Sequence, residues 1–224
     1  MHRHFEEDLS ELKQKLLAMG SLVERALHQA IKALVERDAQ LGLQVFEGEE
    51  AINMLQIEID DRAMRLLALQ QPMATDLRLI ASAVKINNDL ERIGDLCVNI
   101  AQRVLSLINQ PPISPMIDLP RMAALAEKML HDGLDAFVNR NADLARNVLE
   151  SDDKVDRLRD DIFQELVRFM TSHPDAVQRG IDLLLISRNI ERVADHATNV
   201  AEDVIYVVAG RDVRHHIEET IRPN

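Results

Sequence analysis

With a single cysteine, Cys97, the 224-residue chain can close no internal disulfide, and nothing in it asks for an oxidising compartment. Tryptophan is absent and aromatic residues make up only 3%, so aliphatic side chains must fill any core. Glycine and proline number 7 each, which leaves long stretches with nothing to interrupt a helix. Basic residues are short as well. The formal charge of −12 argues against binding a bare nucleic-acid backbone and suits cations or basic protein surfaces. No apolar run approaches the ~18 residues of a membrane span, and MHRHFEEDLSELKQ lacks the apolar core of a signal peptide. The expectation is a soluble, cytoplasmic protein.

What is present is a repeat. NDLERIGDLCVNIA, starting at Asn88, returns one hundred residues later as RNIERVADHATNVA, starting at Arg188. Glu91, Arg92, Asp95, Asn99 and Ala101 recur as Glu191, Arg192, Asp195, Asn199 and Ala201. A duplication of this length implies two structural units, here 1–112 and 113–213, followed by a polar tail over 214–224.

Apolar periodicity supplies the helices. Leu9, Leu12, Leu16, Met19, Val23, Ala26 and Ala30 alternate steps of three and four, as on the seam of a long helix beginning near Phe5. A second helix is predicted over Ala39 to Gln70, with Ile52, Leu55, Ile59, Leu66 and Leu69 on its seam; Gly42 and Gly48 weaken its start and Pro72 ends it. The third, capped by Thr75 or Asp76, carries Leu79, Ala83, Ile86, Leu90, Ile93, Cys97, Ile100, Val104 and Leu107. Asp76 and Arg78 are expected to cap and pair at its start. QPPISPMIDLP breaks the pattern and connects the halves. Helices over Leu119 to Asn139, Ala142 to Ser172 and about Asp175 to Ala209 then repeat the plan, with Gly210 as a C-cap. Short connections favour antiparallel neighbours. The fold expected is all-α, two tandem antiparallel three-helix bundles related by the internal repeat.

Acidic pairs mark both halves. In heptad register Glu91 lies at b and Asp95 at f, away from the seam and one turn apart; Glu191 and Asp195 match them. Glu49 and Asn53 on the second helix align with Asp152 and Asp156 at a constant offset of 103. Oxygen-only ligands from two helices suit a hard cation such as magnesium, manganese or iron, with zinc less favoured without His or Cys. The bland alternative is a set of solvated faces. His196 could join such a site but reads more simply as solvent-facing or locally hydrogen-bonded, Arg92 and Arg192 as partners of nearby acids, and Cys97 as a small core residue. His215 and His216 fall in the tail and carry no expected role.

QQPMATDLRLI, LERIGDLCVNIA and IERVADHATNVAEDVIYVVAGRDVRH closely resemble the PhoU family of phosphate-specific transport system accessory proteins, over nearly the whole chain. That resemblance implies a non-enzymatic negative regulator of the phosphate-starvation response and of phosphate uptake. It implies an adaptor between the ATPase subunit of the phosphate ABC transporter and a sensor histidine kinase, often homodimeric, and meeting the membrane only through partners. It also implies metal clusters, iron or zinc in some members, on E/D-x-x-x-D motifs. Glu49, Glu91 and Asp95 would serve one site, with Asn53 departing from the pattern, and Asp152, Asp156, Glu191 and Asp195 the other. A carboxylate-bridged di-metal enzyme is the rival reading. It calls for Glu-x-x-His pairs aimed into a bundle core, and the chain contains none.

Overall fold

The computed structural model describes residues 2–70, 72–113, 118–211 and 213, with side chains from residue 5 onward. Six helices follow in order: α1 (His2–Glu36), α2 (Ala39–Gln70), α3 (Ala74–Ile108), α4 (Leu119–Asn139), α5 (Ala142–Ser172) and α6 (Val177–Ala209). Helices α1–α3 form one antiparallel bundle and α4–α6 the other. The bundles join where α3 packs along α6 and α1 along α4, leaving α2 and α5 on the outside. Among the described residues there is no strand.

Every apolar seam residue predicted for α1 from Leu9 to Ala30 and for α3 is buried, as is the seam that the same periodicity predicts for α6, Leu183, Ile186, Ile190, Val193, Ala197, Val200, Val204 and Val207. Each such aliphatic side chain contributes about 1.5–3 kcal/mol on leaving water. The central helices bury more than a seam, because each has a partner on a second side. Ser82, Asn87, Gly94 and Ala101 of α3, and Asp182, Ser187, Ala194 and Ala201 of α6, are all enclosed at positions one hundred apart. The offset of 103 holds for the outer helices too: Gly42, Val45, Ile52, Ile59 and Ala63 of α2 are buried, as are Ala145, Val148, Val155, Ile162 and Leu166 of α5.

Two cross-bundle ion pairs tie α3 to α6. Arg103 reaches Asp182 at 3.1 Å, and Lys85 reaches Asp203 at 2.9 Å. Between them His196 Nδ1 lies 2.7 Å from Asp89, to which Asn199 also donates at 3.2 Å. On the other junction α1 crosses α4 at Gly20, where a Cβ would stand 2.2 Å from the tip of the Leu134 side chain, which would have to shift to admit it. Cys97 is enclosed in the first bundle, its sulfur 4.0 Å from the Val23 carbonyl oxygen, and burial pushes its thiol pKa up, with a smaller contribution from the Glu127 charge.

Several expectations are corrected at helix ends. The N-cap of α3 is Met73, with no side-chain cap, so neither Thr75 nor Asp76 serves. Asp76 pairs with Arg140 at 3.8 Å, while Arg78 donates to Thr75 at 3.4 Å. Leu69 is 71% exposed: the buried stripe of α2 runs through Ile59, Ala63 and Leu66, and Leu69 has rotated off it. Leu55 is only half-buried. Helix α6 begins at Val177 after a single 3-10 turn over Pro174–Ala176. Gly42 does not break α2; it admits the Leu105 side chain, which would lie 3.0 Å from a Cβ. Gly210 ends α6 with φ of 66°, as predicted. The polar tail, with His215 and His216, lies outside the described residues.

Candidate functional site

The acidic pairs meet because of what separates them. On α3, Gly94 sits between Glu91 and Asp95, and on α2, Ile52 sits between Glu49 and Asn53. An added Cβ at Gly94 would lie 3.4 Å from Ile52, so the two motifs are brought together where the helices touch. In the second half Val155 and Ala194 hold the corresponding places, both buried.

That second set behaves as one electrostatic unit. Burial, then the charges of Asp156, Asp195, Asp153 and Glu191, push Asp152 up to about 6. Burial also raises Glu191, which Arg159 partly offsets while Asp195 and Asp156 push it further. Asp195 is raised by burial and Asp156, against the pull of His196, Arg192 and Arg159. Asp152 and Glu191, half-buried, and the more exposed Asp195 hold their protons more tightly than isolated carboxylates. Arg159 is their resident counter-ion, 3.6 Å from Asp156, 3.1 Å from Asp160 and 3.5 Å across to Glu191 on α6.

The first set is looser. Arg92 serves its own helix, 3.5 Å from Glu91 and 3.4 Å from Asp95. Among the described residues Glu49 and Asn53 make no side-chain hydrogen bond or ion pair, and Asn53 is exposed. His196 is held by Asp89.

Among the described residues no three His, Cys, Asp or Glu side chains stand grouped so that they could hold a metal as they are placed. The donor chemistry nevertheless fits a hard cation. Asp152, Asp156, Glu191 and Asp195 offer oxygen alone; burial first, and mutual repulsion second, raise the proton affinity of Asp152, Glu191 and Asp195, and a cation would relieve the repulsion. Sequence reasoning missed Arg159. Its signal was there: it lies three residues after Asp156, where the first half has Gln56.

Compared with known proteins, the chain matches the family model of the PhoU domain twice, at residues 16–104 and 119–204. A phosphate-specific transport system accessory protein PhoU homolog from Pseudomonas aeruginosa is 40% identical over 215 residues, spanning 95% of this chain and 88% of that one. Its namesake from Aquifex aeolicus is 37% identical over 214 residues, spanning 95% and 97%. Among solved structures, PhoU from Pseudomonas aeruginosa superposes with a TM-score of 0.89 at 40% identity, covering 92% of this chain and 100% of that one. The phosphate transport system regulatory protein PhoU from Streptococcus pneumoniae gives 0.87 at 32% identity, covering 93% and 99%.

Proposed function

This chain belongs to the PhoU family, and from that premise we propose that it is an accessory protein of phosphate uptake that keeps the phosphate-starvation response off when phosphate is plentiful. It acts as a cytoplasmic adaptor, often paired with a second copy, between the ATPase subunit of the phosphate ABC transporter and a sensor histidine kinase. It performs no catalysis, a reading supported by the absence of Glu-x-x-His from the sequence and by relatives named as accessory proteins.

The observation that carries the mechanism is the carboxylate set on α5 and α6. Asp152, Asp156, Glu191 and Asp195 together bind a cation, iron, manganese, magnesium or zinc, with Glu49, Asn53, Glu91 and Asp95 as the weaker counterpart. The cation supplies positive charge that offsets the −12 of the chain where a partner docks. The residues do the rest: the i,i+4 spacing presents two carboxylates per helix, half-burial keeps them from relaxing into water, and Arg159 holds the set together when it is cation-free.

The test is alkaline phosphatase expression in phosphate-rich medium, in a strain deleted for this gene. Wild type is expected to restore repression. A stably folded quadruple variant, Glu91→Gln, Asp95→Asn, Glu191→Gln and Asp195→Asn, is expected to lose it. Full repression by that variant would remove the role given to the acidic faces; failure of wild type would remove the regulatory assignment itself.

A further inference from the structure

The outer faces of α2 and α5 occupy equivalent positions and differ in material, although α5 also exposes Phe163. On α5 the residues at 157 and 160 are Arg157 and Asp160, which suit water. On α2 their counterparts are Met54 and Ile57, and together with Met64 they stand 53%, 62% and 62% exposed. Only the last has an apolar partner across the repeat, Val167 at 37%.

Single exposed apolar side chains are ordinary. These three fall within a narrow sector opposite the buried stripe of Ile52, Ile59 and Leu66, so α2 is apolar on both sides. Over the ten steps from Met54 to Met64 they span about 15 Å, at 1.5 Å per residue. Leu43, 44% exposed, continues the line toward the start of the helix. Two of the three are methionines, whose flexible thioethers adapt to varied apolar partners.

Charge narrows the occupant. Glu47 and Glu50 stand between Leu43 and Met54 on the same side of the helix, and among the described residues neither has an ion-pair partner, whereas Asp61, between Ile57 and Met64, is paired with Arg65 at 2.9 Å. A second copy docked on this face would bring the same unpaired acids toward each other. An anionic membrane surface would be repelled. An apolar strip interspersed with acids fits a helix carrying apolar residues at i, i+3, i+4 and i+7 between basic side chains.

We propose that the outer face of α2 around Met54, Ile57 and Met64 is the docking surface for an amphipathic, Lys/Arg-flanked helix of a partner protein. It rests on the adaptor reading in taking such a partner to exist, and it assigns that partner a contact surface.

The direct probe is a labelled leucine–lysine peptide of about 18 residues with its leucines on one helical face. A peptide of the same composition with leucines spread around the helix is the control. Fluorescence anisotropy with the full chain should show binding of the first peptide. Met54→Gln, Ile57→Thr and Met64→Gln combined should weaken it at least about tenfold, and Val167→Gln should leave it unchanged. Ile57→Glu alone is the second variant, checked with the others for an unaltered melting temperature. Equal binding by the triple variant, or equal binding of the spread-leucine peptide, overturns the proposal. So does sedimentation showing a dimer that dissolves in the triple variant, since the face then belongs to a second copy. In the reporter strain the triple variant should lose repression; retained repression removes the regulatory partner from this face. Failure of wild type there strikes the adaptor reading instead, and the peptide titration judges the face independently.

Discussion

The second helices of the two bundles occupy equivalent places and handle charge differently. Helix α5 sets Asp156 and Arg159 as an ion pair beside the carboxylates of α6, while α2 has Asn53 and Gln56 at those two positions. An acid and a base have been exchanged together for two amides. Glu49, Glu91 and Asp95 give the first set a formal −3; Asp152, Asp156, Glu191 and Asp195, less Arg159, give the second −3 as well. What the halves share is net negative charge rather than a count of carboxylates, so Asn53 is not simply a lost ligand. The second set is more crowded, and its members repel one another across two helices; the first pairs within its own helix.

The largest break is expected where the bundles join. Asp182 is 3% exposed and its cation is Arg103, so Arg103→Met leaves a buried carboxylate uncompensated. Since Arg103 itself is 45% exposed, the cost should be about 2–3 kcal/mol rather than the full penalty of a buried pair. Lys85→Met should cost less than half as much, because Asp203 keeps a further interaction. Urea unfolding reads both, and equal losses would show that the two junction pairs are equivalent after all.

A smaller effect, of opposite sign, is expected from relieving the crowded set. The folded Asp152 carboxyl keeps its proton up to about pH 6, higher than an unfolded one would. The penalty is therefore absent below the unfolded value, near 4, and grows as pH rises to about 6. After allowance for solvent screening, Asp152→Asn should stabilise by about 1 kcal/mol at pH 7.5, a rise of roughly 2–4 °C in Tm. At pH 3.5 there should be no gain. Glu49→Gln, at the matching position of the looser set, should change little at either pH. A gain from Glu49→Gln as large as that from Asp152→Asn would erase the contrast.

Smallest is the effect of rewriting one half toward the other. If net charge governs cation affinity, Asn53→Asp should tighten manganese binding by about three- to tenfold. Adding Gln56→Arg should return it close to the starting value. Calorimetric titration resolves the difference, and a double variant as tight as Asn53→Asp would make carboxylate count the controlling quantity.

Much of this organisation was legible from residue order. The seams of α1, α3 and α6 read correctly because their spacing is regular over many turns, and the bounds of α2, α4 and α5 followed from prolines and polar breaks. The cap of α3 did not. Thr75 and Asp76 have capping chemistry, but the helix starts two to three residues before either could serve; Thr75 is held by Arg78 within the first turn, and Asp76 meets Arg140 only through tertiary packing. Burial of Asp182 and Asp203 was equally hidden, since a heptad reading gives each helix one packed face and α6 has more. For the site, repeat offsets named every acidic position. They could not reveal that Arg159 reaches across to Glu191, because a distance between helices is not written in the spacing along either one.

The lone thiol turns the first bundle into its own reporter. Cys97 has Ala197 as its counterpart, so only one half carries it, and modification needs both a thiolate and access. Burial denies it both while α3 remains packed. Alkylation of Cys97 should therefore proceed only as often as that bundle opens, and its rate measures the opening. The carboxylates of α5 and α6 belong to the other copy of the repeat, and a cation added to the protein tests whether the copies communicate. If it slows alkylation, the α3–α6 junction transmits stability from one copy of the repeat to the other.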